Sequence, residues 1–283
     1  MSAALPSSFD EIASRLALGI EPIDAQRQQR ILSPLQITFD DVVIGNKRPT
    51  FVVHPSNRFV ILYDNYFEPR DRRINLRIFD TAVSKYSTVG DLRRYVPRKL
   101  RIKIERLRFA ENRPPLARSC QPWLFPGAAY PVSDIMTGGR ARVMRHGTRR
   151  RPLRPARWVR VIATIPASQT NLDEATVIGR AFGDDRGEFL LLLNGGIGLT
   201  PTNTHLSARI TVFATRRDPV PSSDDRPDID PLWDLPLERP TSLSSSDEVL
   251  IGNKLPNNYV KVVEHVASLP LGHLLRGNPD FVI

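Results

Sequence analysis

The chain has 283 residues, 41 % of them hydrophobic and 25 % charged, and its 40 lysines and arginines outnumber 30 acids for a net charge of +10. This is a globular composition, long enough for one large core or two smaller ones, and its positive balance admits a polyanionic partner without requiring one. A lone cysteine, Cys120, excludes internal disulfides, zinc fingers and iron–sulfur centres.

Residues 1–20 include Asp10 and Glu11 and show neither a basic leader nor an apolar block of signal-peptide length. The strongest apolar run, Phe189-Leu190-Leu191-Leu192-Leu193, is strand-length, so no transmembrane segment is expected and cytoplasmic synthesis is the simplest reading. Helical periodicity is confined to two weak stretches, 9–18 and 259–269.

From the N-terminus onward the apolar pattern has period two. Leu35-Gln36-Ile37-Thr38-Phe39 alternates, as does Ile74-Asn75-Leu76-Arg77-Ile78, and Leu100-Arg101-Ile102-Lys103-Ile104-Glu105 alternates with charges on its second face. Phe51-Val52-Val53 and Phe59-Val60-Ile61-Leu62 flank a turn-rich His-Pro-Ser-Asn tetrapeptide. Such segments predict antiparallel sheets with one buried and one wet face. The 25 prolines cluster between them, where they break strands and donate no hydrogen bond.

The expected fold is therefore mainly β: two small antiparallel β-sandwich domains and an extended Pro-rich C-terminal arm. The divisions fall at 1–113 for an N-terminal sandwich-like domain and 114–134 for a Pro/aromatic linker. A second sandwich spans 135–217, and an acidic Pro/Ser-rich linker with the arm spans 218–283.

Within 135–217, Ala141-Arg142-Val143, Trp158-Val159-Arg160-Val161-Ile162-Ala163, Thr176-Val177-Ile178-Gly179-Arg180-Ala181, Glu188-Phe189-Leu190-Leu191-Leu192-Leu193 and Ala208-Arg209-Ile210-Thr211-Val212-Phe213 read as five strands. Asp184-Asp185-Arg186-Gly187 is a turn. This order resembles the carboxypeptidase-regulatory-like (prealbumin-like) sandwich, with Gly183-Asp184-Asp185-Arg186-Gly187-Glu188-Phe189 where that family has Thr-Asp-x-x-Gly-x-Phe. The lead-in Leu124-Phe125-Pro126-Gly127-Ala128-Ala129-Tyr130-Pro131 is similar to the linker before such sandwiches in phage-tail-like contractile injection systems. The resemblance implies a structural cap, baseplate or adaptor subunit in a ring-forming assembly, with tube, sheath or baseplate proteins as neighbours. It brings no activity, because the zinc ligands of the name-giving peptidase lie in another domain.

Catalytic chemistry finds little footing. The five histidines, His54, His146, His205, His265 and His273, have no metal-binding spacing, and no nucleophile elbow or phosphate-binding Gly-Lys loop occurs. The expectation is a non-enzyme with no cofactor and no metal. Residues 91–160 hold nineteen bases against four acids, whereas 218–248 hold nine acids against two bases. Arg145, Arg149, Arg150, Arg151, Arg154 and Arg157 are the candidate basic interaction loop, meeting an acidic surface on a neighbour. The alternative is nucleic-acid binding by the Arg-rich 140–160 segment, although only Trp158 offers stacking within it. Val263, Val266, Leu271, Leu274, Leu275 and Phe281 are the candidate docking residues of the arm; a tail folded back on its own sandwich is the other reading. One echo, Val42-Val43-Ile44-Gly45-Asn46-Lys47-Arg48-Pro49 against Val249-Leu250-Ile251-Gly252-Asn253-Lys254-Leu255-Pro256, matches at six of eight positions.

Overall fold

The computed structural model describes residues 16–40, 51–54, 58–63, 71–80, 93–106, 118–146, 152–194, 204–223, 225, 227–275 and 280–283. In chain order the strands are β1 (Leu16–Ile20), β2 (Ile23–Asp24), β3 (Gln29–Arg30), β4 (Gln36–Phe39), β5 (Val52–His54), β6 (Arg58–Leu62), β7 (Arg72–Phe79), β8 (Arg98–Ile104), β9 (Ser119–Cys120) and β10 (Trp123–Leu124). They continue as β11 (Gly138–Arg145), β12 (Arg154–Pro155), β13 (Arg160–Ile165), β14 (Thr176–Phe182), β15 (Glu188–Leu192), β16 (His205–Thr215), β17 (Leu237–Glu238), β18 (Tyr259–Pro270), β19 (Leu274–Leu275) and β20 (Phe281–Val282). The described residues contain no α-helix, and the fold is mainly β.

In the N-terminal half, sheet β5-β6-β1-β9 packs against sheet β17-β8-β7-β4. The alternation seen in the sequence decides which side chains meet. Ile74, Leu76, Ile78, Leu100, Ile102 and Ile104 face Leu18, Ile20, Phe59 and Ile61 in one buried cluster. A register slip of one residue would turn all of these outward, so the pairing is strongly fixed. In the C-terminal half, sheet β14-β13-β16-β18 packs on a sheet in which β11 pairs with β15, β12, β19 and β20.

Strand β15 joins the two halves. Leu190 and Leu192 lie in the first core, while Phe189 and Leu191, with the following Leu193, lie in the second. The run of leucines reflects burial on both faces, which removes the polar alternation of a half-wet strand. A third cluster of Phe79, Val96, Phe125, Trp158, Phe182, Leu232 and Leu235 fills the junction.

Two expected segments have a different part in the molecule. Residues 118–134 form part of the body, because β9 runs parallel to β1, β10 runs parallel to β2, and Leu124, Phe125 and Tyr130 are buried. The C-terminal arm is extended, but it folds back on its own chain. β18 pairs antiparallel with β16 along its whole length, from His205 opposite Pro270 to Thr215 opposite Tyr259. Ala267 and Leu269 are thereby buried in the second core, which supplies the driving force.

Candidate functional site

The candidate basic loop lies against the acidic segment of the same chain. Arg145 Nε and Arg154 Nη2 reach the two oxygens of Asp218 at 2.8 and 2.9 Å. Arg157 Nη2 donates to Asp234 Oδ1 at 2.7 Å and to the Pro231 carbonyl. The charge complementarity expected between neighbours is thus met in cis at these three positions. Arg149, Arg150 and Arg151 lie outside the described residues.

The candidate arm residues scatter. Val263, Leu275 and Phe281 pack against the second core and Leu274 against the first. Leu271 N–H donates to the Thr204 carbonyl at 3.0 Å, and Val266 is 47 % exposed on the outer side of β18. A cavity of about 290 Å³ opens between β18 and the β19–β20 edge, lined by residues 263–268, Leu275, Asp280 and Phe281. Four of the six candidates therefore pack within the chain, three on the second core and one on the first.

The deepest electrostatic feature was not anticipated. Arg98 has the parity of Leu100, Ile102 and Ile104 on β8, so the strand carries a guanidinium into the core, with its side chain 0 % exposed. Glu238 on β17 meets it: Arg98 Nη2 donates to Glu238 Oε2 at 2.5 Å and Arg98 Nε to Oε1 at 3.3 Å. Arg160 Nη2, from β13, donates to the same Oε1 at 3.1 Å. Arg98 also donates to the carbonyls of Trp123, Val249 and Leu250 at 2.8, 2.5 and 2.7 Å. The Arg160 guanidinium lies 3.6 Å from the centroid of Phe182, which stacks on Phe125 at 3.9 Å. A buried Arg–Glu–Arg unit persists only when its lone pairs and protons are all engaged, and here they are distributed over both halves. The available sequence signal was the buried parity of Arg98, which demands a distant acid.

Two further buried carboxylate sites do similar work. Asp24 Oδ2 accepts from the hydroxyls of Tyr95 and Tyr130 at 2.9 and 2.8 Å, while its Oδ1 accepts the N–H groups of Gln26 and Arg27 at 2.9 and 3.0 Å. Burial, then the adjacent Asp24 carboxylate, push the Tyr95 phenol well above its ordinary value. For Tyr130, burial is again the larger cause and the hydrogen bond to Asp24 the next. Asp184 and Asp185 of the hairpin turn are also buried, and Arg93 Nη1 donates to Asp184 Oδ2 at 3.2 Å and to Asp185. Asp184 Oδ1 closes the turn by accepting the N–H groups of Arg186 and Glu188 at 2.8 and 3.0 Å. Gly187 turns the chain at φ 72°, where a side chain would strain the backbone.

The Ser-rich stretch of 241–246 is likewise held. Asp247 Oδ2 accepts from the Thr241 hydroxyl at 2.7 Å and the Thr241 and Ser242 N–H groups at 2.9 and 3.0 Å. Burial works against the Asp247 charge, yet these bonds and that from Leu250 outweigh it and hold the carboxyl below its ordinary value.

The other face of β7 and β8 is cationic. Register places Arg73 opposite Lys103, Asn75 opposite Arg101 and Arg77 opposite Lys99. Among the described residues, no group of three or more His, Cys, Asp or Glu side chains is gathered as a metal site, and no helix is long and apolar enough to cross a membrane. No protein-family model matches the chain, and no curated protein or solved structure matches it either.

Proposed function

We propose that the protein is a non-enzymatic structural or adaptor subunit of a larger protein assembly. The supporting observation is where its buried charges are used. Glu238 joins Arg98 and Arg160, Asp184 and Asp185 hold Arg93, and Asp24 holds Tyr95 and Tyr130. Each contact fastens segments 71 to 140 residues apart in sequence. Charges spent on mutual fastening make a frame of fixed shape, whereas catalytic groups are left poised toward a substrate.

The order of elements in 135–217 and the lead-in at 124–131 resemble components of phage-tail-like contractile injection systems, which makes such an apparatus the assembly in this reading. The chain's place is then in a cap or baseplate region, beside tube, sheath or baseplate proteins. Nucleic-acid binding by 140–160 is disfavoured because Arg145 and Arg154 already share Asp218 and Arg157 is paired with Asp234.

Affinity capture of the tagged chain from its native cells at low salt tests this. The expected result is co-purification of a fixed set of partner proteins in constant stoichiometry. Recovery of the chain alone, or with nucleic acid as its only constant companion, contradicts it.

A further inference from the structure

We infer that the outer face of β7 and β8 is a docking site for an extended acidic segment of a partner protein, an inference that rests on the adaptor reading above. The core fixes this face. With Ile74, Leu76, Ile78, Leu100, Ile102 and Ile104 turned inward, residues 73, 75, 77, 99, 101 and 103 must point outward. Two of the three outward cross-strand pairs, Arg73 with Lys103 and Arg77 with Lys99, are like-charged, and the third sets Arg101 beside Asn75. Like charges directly opposite each other destabilise a sheet.

The chain compensates one end of this ladder more fully than the other. Asp40 pairs with both Arg77 and Lys99, and Asp230, from the acidic Pro-rich segment, pairs with Arg77 at 2.6 Å. At the other end, Asp71 reaches Lys103 at 2.8 Å, a pair about half exposed on both sides. Arg101 donates to the neutral Asn75 Oδ1 at 2.8 Å, and among the described residues neither Arg73 nor Arg101 has a carboxylate within ion-pair distance. The less compensated end keeps an excess of positive charge, with Arg73 exposed and Lys103 about half exposed.

The chemistry of the occupant is displayed by the chain itself, since aspartates from its non-strand segments are what seats on the compensated end. Successive outward positions on a strand are about 6.6–6.8 Å apart, the same repeat as alternate side chains of an extended peptide. An acidic side chain at every second position therefore matches Arg101 and then the Arg73–Lys103 pair, beyond the end that Asp40 and Asp230 occupy. Phe79, the aromatic residue of β7, is buried in the junction cluster and β8 carries none, so neither strand offers an exposed ring on which a base could stack, which favours an acidic protein segment over single-stranded nucleic acid.

The test uses the full chain and a fluorescent peptide alternating Glu and Thr, titrated at low and at physiological salt. Saturable binding is expected, weakened about tenfold in the Arg73→Thr/Lys103→Thr double variant. Arg58→Thr/Arg142→Thr, which removes the same charge elsewhere, is expected to leave the affinity unchanged. A photoreactive form of the peptide is expected to label β7 or β8 in the wild-type chain, a readout independent of how well the variants fold. The inference is overturned by no saturable binding, by equal loss in the two double variants, by labelling elsewhere, or by tighter binding of a single-stranded oligonucleotide of equal charge. Peptide binding without partner capture from cells would sink the adaptor reading alone, and partner capture without peptide binding would sink this inference alone.

Discussion

Arg98 and Glu238 form a two-point contact across 140 residues of sequence, with the Arg98 side chain 0 % and the Glu238 side chain 2 % exposed. Neither charge has access to water, so Arg98 depends on Glu238 for its counter-charge, and Glu238 depends on Arg98 and Arg160. The carbonyls of Trp123, Val249 and Leu250 complete the guanidinium's bonds and bring two further segments to the same point.

Glu238→Ala is therefore expected to lower stability by about 3–5 kcal/mol, the usual cost of leaving buried charge unpaired. Urea unfolding followed by circular dichroism measures it. A loss below about 1 kcal/mol would show that water or rearrangement replaces the carboxylate.

Trp158 holds a left-handed backbone, φ 59°, that a bulky residue adopts only under constraint. Its Nε1–H donates to Asp234 Oδ1 at 2.7 Å, and its carbonyl accepts from Arg160 Nη1 and the Tyr259 hydroxyl at 2.9 and 2.7 Å. Asp234→Ala should cost about 1–3 kcal/mol, since it orphans a buried indole donor, and should shift tryptophan emission to longer wavelength. Unaltered emission and stability would remove the constraint argued for this site.

Leu191→Ala and Leu192→Ala open cavities on opposite faces of one strand, in the second and first cores respectively. Each is expected to cost about 2–5 kcal/mol. Because β15 belongs to both cores, each variant should still unfold in one transition with coincident fluorescence and circular dichroism. Two separated transitions would mean the cores are independent.

Alkaline pH should destabilise the chain. Burial pushes the Cys120 thiol from 9.0 to about 12, and burial chiefly pushes the Tyr259 phenol from 10.0 to about 12. The folded chain holds these protons more tightly than the unfolded chain does. Their stabilising contribution is thus complete below pH 9 and disappears between pH 9 and 12. Denaturant midpoints across that range should fall steadily. At pH 8 a thiol reagent should modify the native chain far more slowly than the chain in denaturant, and equal rates would contradict the burial.

At the acid end the sign reverses for Asp247, whose carboxyl is held below its ordinary 3.8. Its contribution is present above that value and is lost as pH falls through the folded one. Asp247→Asn is expected to flatten this part of the pH–stability curve, and a curve of unchanged shape would contradict the role assigned to it.

Much of the architecture was readable from period-two patterns, because a half-buried strand records its two environments residue by residue. Strands β7 and β8 announce their inner faces in this way. Strand β15 could be read as a strand but not placed, since a strand buried on both sides has no alternation to show which core it serves. The short strands β9, β10, β17, β19 and β20 carry two residues each and have no period to detect. Their positions follow from long-range pairing, as when Leu237 meets Lys99. The basic and acidic segments were legible as opposite charges, but which acid meets which base depends on a fold that charge counting does not contain. The wet cations of β7 and β8 were visible as the charged face of residues 100–105, without the register that sets them opposite one another.

Native-state hydrogen exchange tests most directly whether the two halves and the C-terminal segment form one fastened frame. In the wild-type chain the slowest amides of β8, β13 and β16 are expected to open with the same free energy, and Glu238→Ala should lower all three together. A variant that frees β8 while leaving β13 and β16 as protected as before would contradict the account.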